Sequence, residues 1–220
     1  MKIRTEDLFD LKHTVAADYL RQYEYPWEAL ENIKELVLAL GEKLSPDEFD
    51  SPQEGVWIAK DAVVFPNVNI YGPAIIGHGT EVRPSAFIRG SVLVGDCCVV
   101  GNSTELKNVI LFDGVQVPHY NYVGDSILGY KAHMGAGSIT SNVKSDKLPV
   151  EIKTEDGVLP TGRKKVGAML GDFVEIGCNS VLNPGTIVGR GSSVYPVSCV
   201  RGVVPEGSIY KDKDNIVKRR

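Results

Sequence analysis

Residues 58–112 read IAKDAVVFPNVNIYGPAIIGHGTEVRPSAFIRGSVLVGDCCVVGNSTELKNVILF. Within them Ile58, Val64, Ile70, Ile76, Val82, Ile88, Val94, Val100, Leu106 and Phe112 fall six apart without a miss. Small or β-branched residues often stand two places earlier, as in Ala62, Ala74, Thr80, Ala86, Cys98 and Thr104. On an α-helix, six steps of about 100° carry a side chain round to a different face. A flat strand repeats every two residues, and only over a short run. Period six fits short strands joined by tight turns, with the aliphatic inward and glycine where the backbone must turn. Stacked rungs of this kind share one aliphatic core and need their open ends covered.

Downstream the aliphatic phase stops at Phe112, because position 118 is proline and position 124 is glycine. It restarts one third of a coil out of step at Leu128 and Met134, and runs again through Leu170, Ile176, Leu182, Val188, Val194 and Val200. Between these sets, residues 144–165 carry neither the six-residue phase nor its glycines, which predicts a loop or short hairpin extruded from the coil. Arg163, Lys164 and Lys165 close that insertion; a solvated loop base is the commoner reading of such a charge run, and phosphate contact across a subunit cleft is the alternative. Upstream, residues 5–22 and 26–43 are expected as two helices. Trp27, Leu30, Ile33, Val37 and Leu40 form one buried stripe at helical spacing, and Pro26 suits a first helical position. The expected division is a helical cap over 1–50, a coil over 51–207 interrupted by 144–165, and a tail over 208–220.

Composition excludes several classes. Among 220 residues, 24 basic against 28 acidic side chains give a net charge of −4, spread along the chain. A nucleic-acid binder would show a basic face. No stretch nears the roughly 18 apolar residues of a membrane helix, and the start MKIRTEDLFDL lacks a secretory apolar run. Cys97, Cys98, Cys178 and Cys199 have no metal-ligand spacing. A soluble, cytoplasmic protein in a reducing compartment is expected.

The break itself, residues 101–142, reads GNSTELKNVILFDGVQVPHYNYVGDSILGYKAHMGAGSITSN. His119 lies in it, twelve residues after Lys107 and three before Tyr122. Irregularities in a repeat are where sites tend to be built. Arg89 and Lys107 could otherwise be ordinary outward charges, and Gly135-Ala136-Gly137 is too short for a dinucleotide fingerprint and opens no helix.

The hexad pattern resembles the left-handed parallel β-helix of hexapeptide-repeat acyltransferases, in which three hexads make one triangular coil. The segment HYNYVGDSILGYKAHMGAGSITSN, read back through GNSTELK to Arg89, is similar to the acetyltransferase domain of the bifunctional glucosamine-1-phosphate acetyltransferase/N-acetylglucosamine-1-phosphate uridylyltransferases. The similarity runs over about residues 85–205. It implies an acetyl-CoA-dependent N-acetyltransferase for an amino-sugar phosphate in nucleotide-sugar synthesis, built as a homotrimer with sites between subunits. His119 matches the general base that frees the sugar amine for attack on the thioester, a task suited to imidazole chemistry near neutral pH. Arg89 and Lys107 match phosphate-holding positions. Tyr122 and Asn142 match substrate hydrogen-bonding positions, and His133 a substrate-lining one. Ala136, Cys178, Pro196 and Lys213 match the coenzyme A groove. No metal is expected.

The chain also departs from that pattern. His133 and Val143 stand where the family has asparagine and tyrosine, the insertion lies beside them, and neither the pyrophosphorylase domain nor uridylyl transfer is expected of this chain. These departures keep a second reading open, a sugar-phosphate-binding accessory protein that has lost acyl transfer. A third is a γ-class carbonic anhydrase-like zinc enzyme. It would need three converging histidines, and His78, His119 and His133 do not match that family's spacing.

Overall fold

The computed structural model describes residues 2–219. Residues 56–212 wind as a parallel β-solenoid whose coils present three faces. The first face stacks Val56–Ala59, Ala74–Ile76, Val92–Val94, the later halves of Glu105–Leu111 and Tyr122–Leu128, then Ala168–Leu170, Thr186–Val188 and Val203–Val204. The second stacks Val63–Val64, Glu81–Val82, Val99–Asn102, Gln116–His119, His133–Met134, Glu175–Ile176, Ser193–Val194 and Ser208–Asp212. The third runs from Asn69–Ile70 through Phe87–Ile88, the early halves of the two long strands, Ile139–Thr140 and Val181–Leu182 to Cys199–Val200.

From Ile76 to Leu106, and again from Leu170 to Val200, the hexad aliphatics point inward and are buried, whereas Ile58 and Ile70 in the first coil are half-buried and Val64 is exposed. Polar residues two places earlier, such as Thr80, Thr104 and Ser192, also lie inside, and each hydroxyl donates to a main-chain carbonyl of a neighbouring coil. That pairing makes polar side chains tolerable in an aliphatic core. At each end one face is closed by an antiparallel strand: Phe49–Gln53 pairs with the first rung of the first face and Asn215–Lys218 with the last rung of the second. Edge pairing of this sort removes the open backbone that invites aggregation.

The phase break differs from the expectation. The interior column never stops: Leu106 is followed by Leu111, Val117, Val123, Leu128 and Met134, all buried. Register partners shift from 18 residues, as in Ile76 with Val94, to 17, as in Val94 with Leu111 and Leu111 with Leu128. One residue is lost at the corner that Asn108 and Asp125 turn, each in the left-handed region with φ of 54° and 48°. Asn and Asp tolerate that conformation better than other side chains with a Cβ. Phe112 therefore leaves the interior. It takes the place that Gly95 and Gly129 hold in neighbouring coils, and its ring packs outside against Phe9 at 5.1 Å.

The N-terminal residues do not cap an end. They cover a side. The outward residues of the first face, Ile75, Leu93, Ile110, Ile127, Met169 and Ile187, are buried, and helix Ile33–Gly41 packs on its strands. The two expected helices are also broken up. Residues 5–22 form the short helices Thr5–Leu8 and Ala17–Leu20 around a 3-10 turn, Leu11–His13. Between their single turns the main chain bonds to the coil: Leu8 O accepts from Asp172 N, Asp10 N donates to Asp172 Oδ2, and His13 O accepts from Asp113 N. Residues 26–43 split into a 3-10 segment, Pro26–Asn32, and the α-helix Ile33–Gly41. The stripe carried that split in its spacing. Trp27, Leu30 and Ile33 are three apart, the 3-10 period, and Val37 follows at four.

The insertion is a hairpin, Glu151–Thr154 with Gly157–Pro160. It folds back onto the solenoid. Val150 and Ile152 are fully buried and sit so close over Gly185 that a Cβ there would meet Val150 Cγ1 at 2.8 Å.

Candidate active site

His119 ends the strand Gln116–His119 at the corner between the second and third faces, in register with Asn102. Tyr120 makes the turn with φ of 52°, and Asn121 behind it is buried. Asn121 Oδ1 accepts the His119 main-chain N–H at 3.1 Å, while Nδ2 donates to the carbonyls of Gly135 (2.9 Å) and Ser138 (3.0 Å). The corner carrying His119 is thus pinned from within. Gly101 lies against it so closely that a Cβ would fall 1.6 Å from Pro118 O, which requires glycine. The His119 side chain is exposed and its imidazole has no hydrogen-bond partner among the described residues.

Round the corner, the third face gathers Arg89, Lys107, Tyr122 and Asn142. Arg89 Nη1 lies 2.6 Å from Glu105 Oε1, and that carboxylate holds the guanidinium's proton affinity above its ordinary value. Lys107 Nζ lies 3.8 Å from Asp125 Oδ2, and the Asp125 side chain is only 4 % exposed. Asn142 Nδ2 donates to Asp125 Oδ2 at 2.5 Å and to the Tyr122 hydroxyl at 3.2 Å. Asn108 Nδ2 donates to Asp125 Oδ1 at 2.9 Å. Burial first, then the Asp125 charge, push the Tyr122 hydroxyl above its usual value near 10. Asp125 is the hub that reasoning from the sequence missed. Its signal was present, since Asn108, Asp125 and Asn142 each stand 17 residues apart and stack at one corner of three coils.

Along the axis from His119 runs a column of its structural equivalents. Gly137 N donates to His119 O, Asn179 N to Ala136 O, and Val197 N to Cys178 O, at 2.8–2.9 Å. His119, Ala136 and Cys178 therefore stack coil upon coil, with Pro196 next in the same column. Lys213 stands in the turn after Ser208–Asp212, on the wall of a cavity of about 730 Å³ shared with Cys199, Tyr210 and Lys153.

His133 is not brought to the third face. It lies on the second, in register with Gln116 at the start of the strand that His119 ends. Its Nδ1 lies 2.8 Å from Glu175 Oε2, in a cleft with Cys97, Gln116 and Lys131. Val143 bridges Lys165 across the base of the insertion. The four cysteines are free, and burial pushes the Cys98 thiol up to about 12. Among the described residues, no three His, Cys, Asp or Glu side chains are placed to hold a metal ion. No helix among them is long and apolar enough to cross a membrane.

The chain is 30% identical over 163 residues to a bifunctional sugar-1-phosphate nucleotidylyltransferase/acetyltransferase of Sulfurisphaera tokodaii, covering 66% of this chain and 41% of that protein. It is 32% identical over 206 residues to the bifunctional protein GlmU of Methanococcus maripaludis, covering 92% of this chain and 50% of that one. The chain thus spans half or less of the length of these relatives. The acetyltransferase domain of PglB from Neisseria gonorrhoeae overlays with a TM-score of 0.40 at 19% identity, over 73% of this chain and 56% of that one, too loosely to carry an argument. Residues 70–188 match the family described as the GMPPB C-terminal domain. These residues hold Arg89, Lys107, His119, Tyr122 and Asn142 together with most of the solenoid, and the chain belongs to the GMPPB C-terminal domain family.

Proposed function

We propose that this protein is an acetyl-CoA-dependent N-acetyltransferase acting on an amino-sugar phosphate of the glucosamine-1-phosphate kind. The observation that carries the reading is the meeting at one corner of two tracks. One is the column His119, Ala136, Cys178 and Pro196 on one side. The other is the polar cluster of Arg89, Lys107, Tyr122 and Asn142 across the turn. The names of the bifunctional relatives support the same reaction class.

In this reading the sugar phosphate lies over the third face. Its phosphate competes with Glu105 and Asp125 for Arg89 and Lys107, whose fork and point charge both suit an oxyanion. Tyr122 and Asn142 hold the sugar. His119, exposed and without a competing partner, takes the proton that the amine sheds as it becomes a nucleophile. The amine nitrogen attacks the thioester carbonyl, the tetrahedral oxyanion collapses, and the C–S bond breaks. The coenzyme A thiolate leaves and recovers a proton. The column suits the pantetheine arm as a track of small or short side chains, with Gly135 and Gly177 beside Ala136 and Cys178. The first face is covered by the N-terminal segment, so the second and third faces remain for contacts between copies, in keeping with a homotrimer.

The test is release of free thiol from acetyl-CoA in the presence of glucosamine-1-phosphate. His119→Ala is expected to lower turnover by about 10²–10⁴ with an unchanged sedimentation coefficient. A fully active His119→Ala removes the mechanism. Sugar-phosphate binding with no acetyl transfer leaves the accessory-protein reading in its place.

A further inference from the structure

On the far side of Lys107 from His119, three elements enclose a cleft of about 570 Å³. Its floor is the Asn108 and Asp125 corner, one wall is the stretch Pro26–Gly41, the lid over the first face, which carries Glu31 and Lys34, and the other is the returning limb of the insertion, Gly162 to Lys165. Five cations line it, Lys34, Lys107, Arg163, Lys164 and Lys165, against three carboxylates. Two of those carboxylates are engaged: Glu31 pairs with Arg163, and Asp125 is held by Asn108 and Asn142 beside Lys107. Among the described residues, Lys34, Lys164 and Lys165 have no carboxylate within ion-pair distance. Arg163 Nε is buried without a hydrogen-bond partner. A buried unpaired donor is costly to leave unmet, and like charges gathered in a concavity focus a field that draws an anion.

The volume is that of a small-molecule site, far more than one phosphate fills. A chain of net charge −4 with acidic and basic side chains mixed along it is not arranged for nucleic acid. Resting on the proposed reaction, we infer that the acceptor's sugar is carried on a diphosphate. The sugar-proximal phosphate meets Arg89 and Lys107, and the chain continues over the corner into this cleft. There the distal phosphate meets Lys34, Lys164 and Lys165, and the remaining volume takes the group beyond it. Lid and insertion thereby acquire a common task, since the cleft exists only where they face each other across Asp125.

Calorimetric titration of the full chain with inorganic pyrophosphate and with orthophosphate tests the inference without any acetyl transfer. The probe protein is Lys34→Ala/Lys164→Ala/Lys165→Ala, whose three side chains are exposed and leave the core untouched. Its pyrophosphate affinity is expected to fall by about tenfold or more, while orthophosphate affinity stays within about twofold. Equal losses for the two anions, or no loss for pyrophosphate, overturn the inference. In parallel, the wild type acetylates UDP-glucosamine with a higher kcat/KM than glucosamine-1-phosphate, and the triple variant loses that preference. If neither sugar is acetylated while the pyrophosphate-selective loss remains, the proposed reaction falls and the diphosphate cleft stands.

Discussion

Asn121 and Asp125 do more for the candidate site than any side chain that the motif itself names. Asn121 is an interior residue of the coil, yet it accepts the His119 amide and clamps the next coil. Asn121→Ala strands those partners inside the core. We expect about 1–3 kcal/mol lower stability in urea unfolding and a fall in turnover with KM for acetyl-CoA unchanged, since His119 shifts while its column stays. Gly124 is needed for a different reason. A Cβ there would lie 2.5 Å from the Tyr122 hydroxyl and 3.0 Å from Asn142 Nδ2, so Gly124→Ala should weaken sugar-phosphate binding in calorimetry more than it lowers the melting temperature. The raised Tyr122 value has a definite sign. The folded chain holds that proton more firmly than the unfolded chain, so its stabilising effect is full below the ordinary tyrosine value near 10 and is lost only above it. Tyr122→Phe should lower activity and leave the shape of the pH–rate profile between about pH 6 and 9 unchanged.

At the scale of elements, the N-terminal strap is tied down by one buried carboxylate. Asp172 accepts the Asp10 N–H (2.7 Å), the Tyr130 N–H (2.9 Å) and Arg190 Nη2 (2.7 Å). Asp172→Ala leaves all three donors without their acceptor and should cost about 3 kcal/mol in denaturant unfolding, with faster protease cutting within residues 5–22. Burial raises the Asp172 carboxyl above its usual range, against the two backbone donors and Arg190. A raised folded-state value means that stability is gained on acidification. The wild type should therefore gain on Asp172→Asn as the pH falls through the raised value, a difference that thermal melts across mild acid would read. The strap and the lid were legible only in part. The stripe from Trp27 to Val37 announced burial but not against what. The partner signal lay elsewhere, in strands such as Ala74–Ile76 and Val92–Val94, whose three consecutive apolar residues are buried on both sides.

For the whole molecule, the coverage of one solenoid face limits how copies can meet. The proposed trimer must use the second and third faces, which flank the His119 corner. Sedimentation equilibrium should give three chains, and substituting the exposed Tyr120 and Val197 (62 % and 79 % exposed) by Asp should dissociate them. Both residues turn that corner in the left-handed region, a costly conformation for valine. A monomer with full activity would show that the site needs no second chain. The same whole-molecule view explains the insertion. A stretch whose charges read as solvated instead buries Val150 and Ile152 on the solenoid and returns its basic limb to face the lid.

By itself the sequence determined the coil and marked the strip that bears the candidate site. The inward column is a local property, six residues per rung, and the motif from Arg89 to Asn142 carries its own resemblance. Only the tertiary structure decided how the column survives its break, where the lid lies, and what the insertion faces. A five-residue hop keeps its side chain inward only because Asn108, Asp125 and Asn142 stack from coil to coil, and no window within one coil contains that contact. An apolar stripe likewise states that it will be buried, not which surface will bury it. The burial energy is nearly the same against any well-packed apolar face. The choice of the solenoid's side over its open end was made by Asp172 and the buried row from Ile75 to Ile187.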